Sequence, residues 1–176
     1  MRLRIYDPKI LALDLRHRRL GYAAFEGHRS LLDWGVRIYP ATGDAEATLA
    51  LRRLNALVEL FAPSVIVIKK ERWEQSATNI GLTPVINAVS IVATSRSIPI
   101  QLVPQSDIDV AFTPLGFRTR EEIAEALTRI FPELIWHLPP KRKIWQSEHP
   151  RMTVFDAIAL GLTYWQAYGI ESVTLS

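Results

Sequence analysis

Residues 10–25 read Ile-Leu-Ala-Leu-Asp-Leu-Arg-His-Arg-Arg-Leu-Gly-Tyr-Ala-Ala-Phe, in which a basic turn separates two apolar runs. Successive side chains of a strand point to opposite faces, so Asp14 shares a face with Ile10 and Ala12 while leucines occupy the other. Both faces are largely apolar, which predicts a central strand covered on both sides. A carboxylate at the end of such a strand is costly to bury without a partner or a metal. Asp14 is therefore the first candidate functional residue, with capping of the turn as its structural alternative.

The surrounding patterns predict three antiparallel strands followed by strands that are linked through helices. A strand reached through a helix is usually parallel to its neighbour, so the order favours a mixed five-stranded sheet flanked by helices. Residues 106–117 carry no clear pattern, and residues 132–150 are expected to be irregular and basic. The predicted strands are 9–15, 20–26, 31–39, 64–68 and 98–103, the predicted helices are 44–61, 80–95, 119–130 and 151–168, and 69–78 is a predicted loop or short turn.

The composition fits a globular domain that could bind a polyanion. The 176 residues, 48% of them apolar, predict a single domain over residues 1–176 with its core at about 9–168. Without cysteine, neither disulfides nor a thiolate metal site are expected. The N-terminal residues lack the apolar core of a signal peptide, and no apolar run approaches the ~20 residues of a membrane span. We therefore expect a cytoplasmic protein with no membrane partner, whose net charge of +3 permits nucleic-acid binding.

Three carboxylates could converge to hold a pair of divalent metal ions, as a two-metal phosphodiesterase requires. Asp14 is the first, and Asp156 is a lone carboxylate in the apolar helix that follows Arg151. The structural alternative for Asp156 is an exposed position on an amphipathic helix. Glu71 is the third candidate, and it would share a face with Lys69 if the strand ending near residue 68 continued. Lys69 would then lie nearer the sheet than Glu71.

Two short motifs resemble the RuvC-type Holliday-junction resolvases. Asp14 followed seven residues later by Gly21 and Tyr22 resembles the opening of that family, and Phe-Asp-Ala-Ile-Ala-Leu at residues 155–160 resembles its closing Asp-Ala-x-Ala-x-Ala helix. The resemblance covers roughly residues 9–166. It implies a ribonuclease-H-like α/β fold and a metal-dependent endonuclease that acts on branched DNA as a homodimer.

The resemblance also implies roles for the candidate residues. Asp14 would bridge two Mg²⁺ or Mn²⁺ ions, Asp156 would bind one ion and Glu71 the other. His149 or Glu148, just before the last helix, could assist a metal or a water. These assignments give Asp14, Glu71, Asp156 and His149 as the candidate catalytic residues.

The chain departs from the family pattern at three places. Residues 15–19 replace a small turn that usually contains glycine, Lys69 stands where the family has a glutamate, and Thr153 stands where it often has Asp or His. Lys69 could bind the scissile phosphate beside the metals. Alternatively, it could replace a metal by neutralising Asp14 and Asp156, which would leave a nucleic-acid-binding protein that no longer cuts.

Basic residues with interleaved aromatics suit contact with phosphates and stacking on bases. For residues 141–145 a merely solvated loop is an equal alternative, whereas Trp34, Trp136 and Trp165 are expected in the core. A third class of function is an adaptor that dimerises through an apolar helix, for which residues 80–95 are the expected surface. The candidate residues for nucleic-acid binding are Arg16, Arg18, Arg19, Lys69, Lys70, Arg72, Trp73, Lys141, Arg142 and Lys143.

Overall fold

The computed structural model describes residues 7–28, 30–39 and 44–169. Strands and helices follow the predicted order, with helices also in two segments where none was expected. Short 3-10 turns cover Gln75–Ala77, Ile80–Leu82, Thr113–Leu115 and Pro132–His137. The other elements are β1 (Lys9–Arg16), β2 (Arg19–Glu26), β3 (Ser30–Ile38), α1 (Asp44–Phe61), β4 (Val65–Lys69), α2 (Lys70–Glu74), α3 (Thr83–Ser95), β5 (Ile100–Val103), α4 (Gln105–Phe112), α5 (Arg120–Ile130) and α6 (Met152–Tyr168).

The five strands form one mixed sheet in the order β3-β2-β1-β4-β5. β1 is the central strand, antiparallel to β2 and parallel to β4, and β4 is parallel to β5. In this register Asp14 lies opposite Gly21 of β2. On the other side, Leu13 pairs with Ile68, so the next residues along the two parallel strands are Asp14 and Lys69. The predicted sheet and its central strand are confirmed.

Helices cover both faces of the sheet, which explains why β1 is apolar on both sides. α1 and α3 pack over the face that carries Leu11 and Leu13. α4, α5 and α6 pack over the opposite face, against Ile10 and Ala12. Asp14 follows the alternation onto the α6 side of the sheet, at the edge where the parallel strands end.

Two glycines allow α6 to pack unusually close to the sheet. A Cβ atom added to Gly21 would lie 2.3 Å from the backbone oxygen of Thr153, and one added to Gly161 would lie 2.3 Å from the Phe25 ring. Both distances are far below van der Waals contact. Gly21, which marked the opening motif in the sequence, is therefore a contact point for the first turn of α6, the helix that carries Asp156.

The segment after β4 differs from the expectation. β4 ends at Lys69, and the chain becomes helical at Lys70, where a loop or short turn was predicted. The strand does not continue to Glu71, so Lys69 and Glu71 do not share a strand face, because the two-residue alternation ends where the helix begins. α2 is five residues long, too short to produce a recognisable helical period, and its ends are linked by a Lys70–Glu74 ion pair of 3.8 Å.

A second short helix, α4, occupies part of the segment that had no clear pattern. By contrast, α5 begins close to the predicted boundary, with a capping box: Thr119 accepts a hydrogen bond from the Glu122 backbone amide and the Glu122 carboxylate accepts one in return. No single helix within the described ranges is long and apolar enough to cross a membrane, although the bent pair Lys70–Ala77 and Ile80–Ser95 meets the criterion by length and composition.

Candidate active site

Asp14 and Asp156 meet at the edge of the sheet, where one arginine bridges them. Arg16 donates from Nε to Oδ2 of Asp14 at 2.8 Å and from Nη2 to Oδ2 of Asp156 at 3.1 Å. Asp14 is 4% exposed, and the Asp156 side chain is 21% exposed. Asp156 is therefore not a solvated surface residue, and the structure brings together the two carboxylates that the sequence analysis ranked first.

A second arginine, Arg120, covers Asp156 from the other side. Its Nε donates to Oδ1 of Asp156 at 3.0 Å, and its Nη2 forms a very short contact with Oδ2. The same guanidinium makes two hydrogen bonds to Glu148, of 2.7 and 3.0 Å. Both oxygens of Asp156 are thus occupied by guanidinium groups, and Glu148 holds Arg120 in place.

Arg120 was not among the residues predicted from the sequence, although its position carries a signal. Arg120 is the first residue of α5 after the Thr119 cap. A cation there is opposed by the partial positive charge of the helix N-terminus. An arginine at this position therefore points to a nearby anion, and the structure supplies two, Asp156 and Glu148.

Burial and mutual repulsion shape the protonation of the site. Burial raises the pKa of Asp14 to about 6, and the neighbouring Asp156 charge adds to the rise, although Arg16 opposes it. Burial lowers the pKa of Arg72, and repulsion from Arg16 lowers it further. Burial acts against the charged form of Arg120 too, but hydrogen bonds to Glu148 and Asp156 outweigh it and raise the pKa of Arg120. Arg120 therefore stays charged.

A cavity of about 140 Å³ lies beside the acidic pair, and cations dominate its polar lining. Four basic side chains and two carboxylates face it. Lys69 lines this cavity, but no described contact pairs it with either carboxylate within 4.0 Å. The expected alternative, in which Lys69 neutralises both Asp residues, is not the arrangement seen, because arginines make those contacts. The charged lining residues are Asp14, Arg16, Lys69, Arg72, Arg120 and Asp156.

Glu71 and His149 are engaged elsewhere. Oε1 of Glu71 accepts a hydrogen bond of 2.9 Å from the backbone amide of Gln105, the first residue of α4, while Oε2 is buried without a hydrogen bond to any described residue. Nδ1 of His149 accepts from the Arg151 amide at 3.2 Å. His149 lines a neighbouring cavity of about 350 Å³ on the far side of Arg120. Within the described ranges, no group of three or more Asp, Glu or His side chains is placed to hold a metal ion.

The donors at the acidic pair fit one divalent ion rather than two. Thr153, one helical turn before Asp156, is buried, and its hydroxyl makes no hydrogen bond to a described residue. Mg²⁺ is commonly bound by one or two carboxylates, with waters and substrate phosphates completing its shell. Asp14 and Asp156 match that donor set once the arginines move aside. The third carboxylate that a second ion would require is not supplied at this place by the residues that the structure describes.

The remaining candidates for nucleic-acid binding fall into different environments. Arg18 lies 4.0 Å from Glu46, and Lys70 pairs with Glu74. Trp73 packs partly buried against the core on the α3 side. The expectation that Trp136 is buried is wrong, because it is 86% exposed. Arg19 acts electrostatically on Glu148 near the site, Arg72 lines the site cavity, and Lys141, Arg142 and Lys143 are exposed.

The sheet order, the helices on both faces and the acidic pair at the sheet edge define a ribonuclease-H-like α/β protein. The chain is similar over most of its length to RuvC-type Holliday-junction resolvases, as the sequence motifs indicated. The crossover junction endodeoxyribonuclease RuvC of Parasynechococcus marenigrum strain WH8102 is 25% identical over 162 residues, covering 89% of this chain and 97% of the relative. The RuvC of Prochlorococcus marinus strain MIT 9313 is 24% identical over the same length. No protein-family model matches the chain.

Solved structures show the same fold. RuvC of T. thermophilus in complex with a Holliday junction substrate superposes with a TM-score of 0.68 at 16% identity, covering 94% of this chain and 96% of that chain. The yeast mitochondrial Holliday junction resolvase superposes with a TM-score of 0.53 at 20% identity, covering 92% and 82%. The predicted fold class is therefore confirmed.

Proposed function

We propose that this chain is a metal-dependent endonuclease that hydrolyses phosphodiester bonds in branched DNA such as Holliday junctions. The observation that carries the proposal is the convergence of Asp14 and Asp156 on one arginine, at the sheet edge of a RuvC-like fold. Relatives named crossover junction endodeoxyribonucleases match nearly their whole length to this chain, which supports the same class of substrate. The chain would then serve DNA recombination and repair.

The charged side chains that line the cavity form two groups, one suited to bind the metal and the other suited to bind the phosphate. Asp14 and Asp156 would hold Mg²⁺ or Mn²⁺, which when bound supplies positive charge at the leaving oxygen and lowers the pKa of a water. Lys69 and Arg72 line the same cavity without a described ion pair to the two carboxylates. They are therefore available to bind the scissile phosphate and to fix its position beside the acidic pair.

Two further parts of the proposal concern assembly and location. A four-way junction offers equivalent strands to two active sites, which a homodimer with two-fold symmetry can engage. Ile80 is 88% exposed and Ile91 is 54% exposed, which supports the surface around α3 as the dimer contact. We place the protein in the cytoplasm, where it would meet chromosomal DNA.

The test compares substrates with and without Mn²⁺. A four-way junction, a flap, a duplex and an RNA–DNA hybrid are incubated with the full chain, with Asp14→Asn, and with Glu133→Gln as a control for loss of an exposed carboxylate. We expect Mn²⁺-dependent product from the junction, a loss of roughly 100-fold or more in Asp14→Asn, and no change in Glu133→Gln. Junction binding without product from any substrate would contradict the proposal and identify a catalytically lapsed DNA-binding protein.

A further inference from the structure

The negative charges of the acidic pair are already compensated inside the protein. Arg16 bonds to one oxygen of each aspartate, and Arg120 bonds to both oxygens of Asp156. Both oxygens of Asp156 are bonded to guanidinium groups, so a divalent ion that binds there competes with the positive charges of Arg16 and Arg120. The protein therefore holds an internal competitor for its own metal site.

Arg120 has a second partner ready when it leaves Asp156. Glu148 already accepts hydrogen bonds from both terminal nitrogens of Arg120. The Arg120 side chain is 41% exposed, and it borders both the site cavity and the neighbouring cavity that Glu148 and His149 line. A small rotation of this side chain could break its contact with Asp156 while its contact with Glu148 persists.

DNA offers the guanidinium groups an alternative partner. A phosphate accepts paired hydrogen bonds from arginine in the same planar geometry as a carboxylate. The cavity beside the acidic pair also presents Lys69 and Arg72, so a phosphate that enters it meets four cations. When that phosphate attracts Arg16 and Arg120, the oxygens of Asp14 and Asp156 become free.

We propose that Arg16 and Arg120 form a latch on the acidic pair, which a phosphodiester of branched DNA opens, so that a divalent ion binds tightly only to the DNA-bound protein. Since the coupling of two ligands is reciprocal, the ion must strengthen DNA binding by the same factor. The latch weakens metal binding until substrate is present. This inference rests on the proposed function for its substrate and its ion, but it concerns binding and not cleavage.

The first experiment measures Mn²⁺ binding to the free protein by electron paramagnetic resonance of unbound Mn²⁺. Arg120→Gln removes one arm of the latch, and Arg16→Gln is a second variant that removes the other. Arg129→Gln is the matched control, because Arg129 is exposed on the same helix, α5. We expect each latch variant to bind Mn²⁺ about tenfold more tightly than the wild type, and the control to bind as the wild type does.

The second experiment repeats the titration with a four-way junction present, using Asp14→Asn with the same junction as the blank for Mn²⁺ held by DNA. We expect the junction to tighten Mn²⁺ binding to the wild type by about tenfold and to Arg120→Gln by much less. Equal Mn²⁺ affinity in the wild type and both latch variants, or no Mn²⁺ binding by any of them, would overturn the latch. Cleavage does not enter these titrations. A latch without cleavage would refute only the proposed function, and cleavage without the affinity differences would refute only the latch.

Discussion

Two neighbouring strand ends at the same edge of the sheet have different relationships to the RuvC pattern. At the end of β1, Asp14 is kept and meets Asp156 of α6 through Arg16. At the end of β4, a lysine stands beside Asp14 in the parallel register, and Glu71 accepts a hydrogen bond from the amide of Gln105. Asp14 and Asp156 thus lie where the family motifs predict them. At the end of β4, however, a lysine stands where the motif has a glutamate.

Packing accounts for part of this difference. Asp156 is carried by a helix whose first turn is pressed against Gly21, so its distance from Asp14 is set by the core. Glu71 is carried by α2, which buries none of its residues completely. A short helix without a buried face can serve other contacts, and here Glu71 holds the start of α4. Core packing therefore fixes where Asp156 lies relative to Asp14, whereas no comparable packing fixes Glu71 as a third ligand.

The largest effect is expected from breaking the contact that positions α6. Gly21→Ala places a Cβ atom 2.3 Å from the Thr153 backbone oxygen, and backbone cannot move aside as a flexible side chain can. We expect a loss of about 3 kcal/mol in the free energy of unfolding, measured by urea denaturation. Gly81→Ala is the control, because its nearest contacts are side-chain atoms at 3.2 Å, and it should lose less than about 1 kcal/mol. Equal losses would show that close packing at Gly21 is not special.

The sequence predicts the acidic pair much better than it predicts the arrangement at the end of β4. Asp14 and Asp156 stand out because apolar neighbours surround each of them, and the alternation of β1 correctly placed Asp14 on the face of Ile10 and Ala12, which α6 covers in the structure. The contact that Glu71 makes could not be predicted, because a five-residue helix has no measurable period. The hydrogen-bond partner of Glu71 also lies 34 residues away. Arg16 was expected to touch phosphate, but its pairing with both carboxylates depends on a contact across 140 residues. Long-range pairing of side chains leaves no local pattern.

A second large effect is expected from the charge of Asp14, which makes the stability of the protein depend on pH. It is measured in the presence of a metal chelator. The pKa of Asp14 is raised from its ordinary 3.8 to about 6 in the folded protein. The stabilisation by protonated Asp14 is therefore fully present below pH 3.8 and is lost as the pH rises through about 6. Asp156, Arg16 and Arg72 face this group and contribute to the shift.

Asp14→Asn imitates the protonated form and removes this dependence. We expect the variant to gain about 2 kcal/mol relative to the wild type between pH 4 and pH 7, measured by urea denaturation across that range. Glu133→Gln, which removes an exposed carboxylate, should show no such change. A constant difference between Asp14→Asn and the wild type would mean that the Asp14 carboxylate ionises in the folded protein as easily as in the unfolded chain.

A smaller effect is expected from restoring the altered half of the site. Lys69→Glu exchanges a cation for a carboxylate at the residue next to Asp14 in the parallel register. Three carboxylates would then face the cavity, and the attraction for a divalent ion increases accordingly. We expect Mn²⁺ affinity to rise by about tenfold, measured by the resonance titration. Lys70→Glu is the control, because Lys70 lies on α2 and pairs with Glu74. An unchanged affinity in Lys69→Glu would mean that the end of β4 does not reach the ion.

The smallest effect is expected at Glu71, where the structure and the sequence motif suggest different roles. If Glu71 mainly holds the first amide of α4, Glu71→Gln keeps an oxygen acceptor. The variant should then leave the free energy of unfolding nearly unchanged and Mn²⁺ affinity within about twofold of the wild type. Glu71→Ala loses the acceptor and should cost about 1 kcal/mol in unfolding free energy, as the loss of a helix cap does. Asp14→Asn, in the same titration, should abolish Mn²⁺ binding. If Glu71→Gln abolishes it as well, Glu71 is a metal ligand in the loaded protein, and α4 must release it when the ion binds.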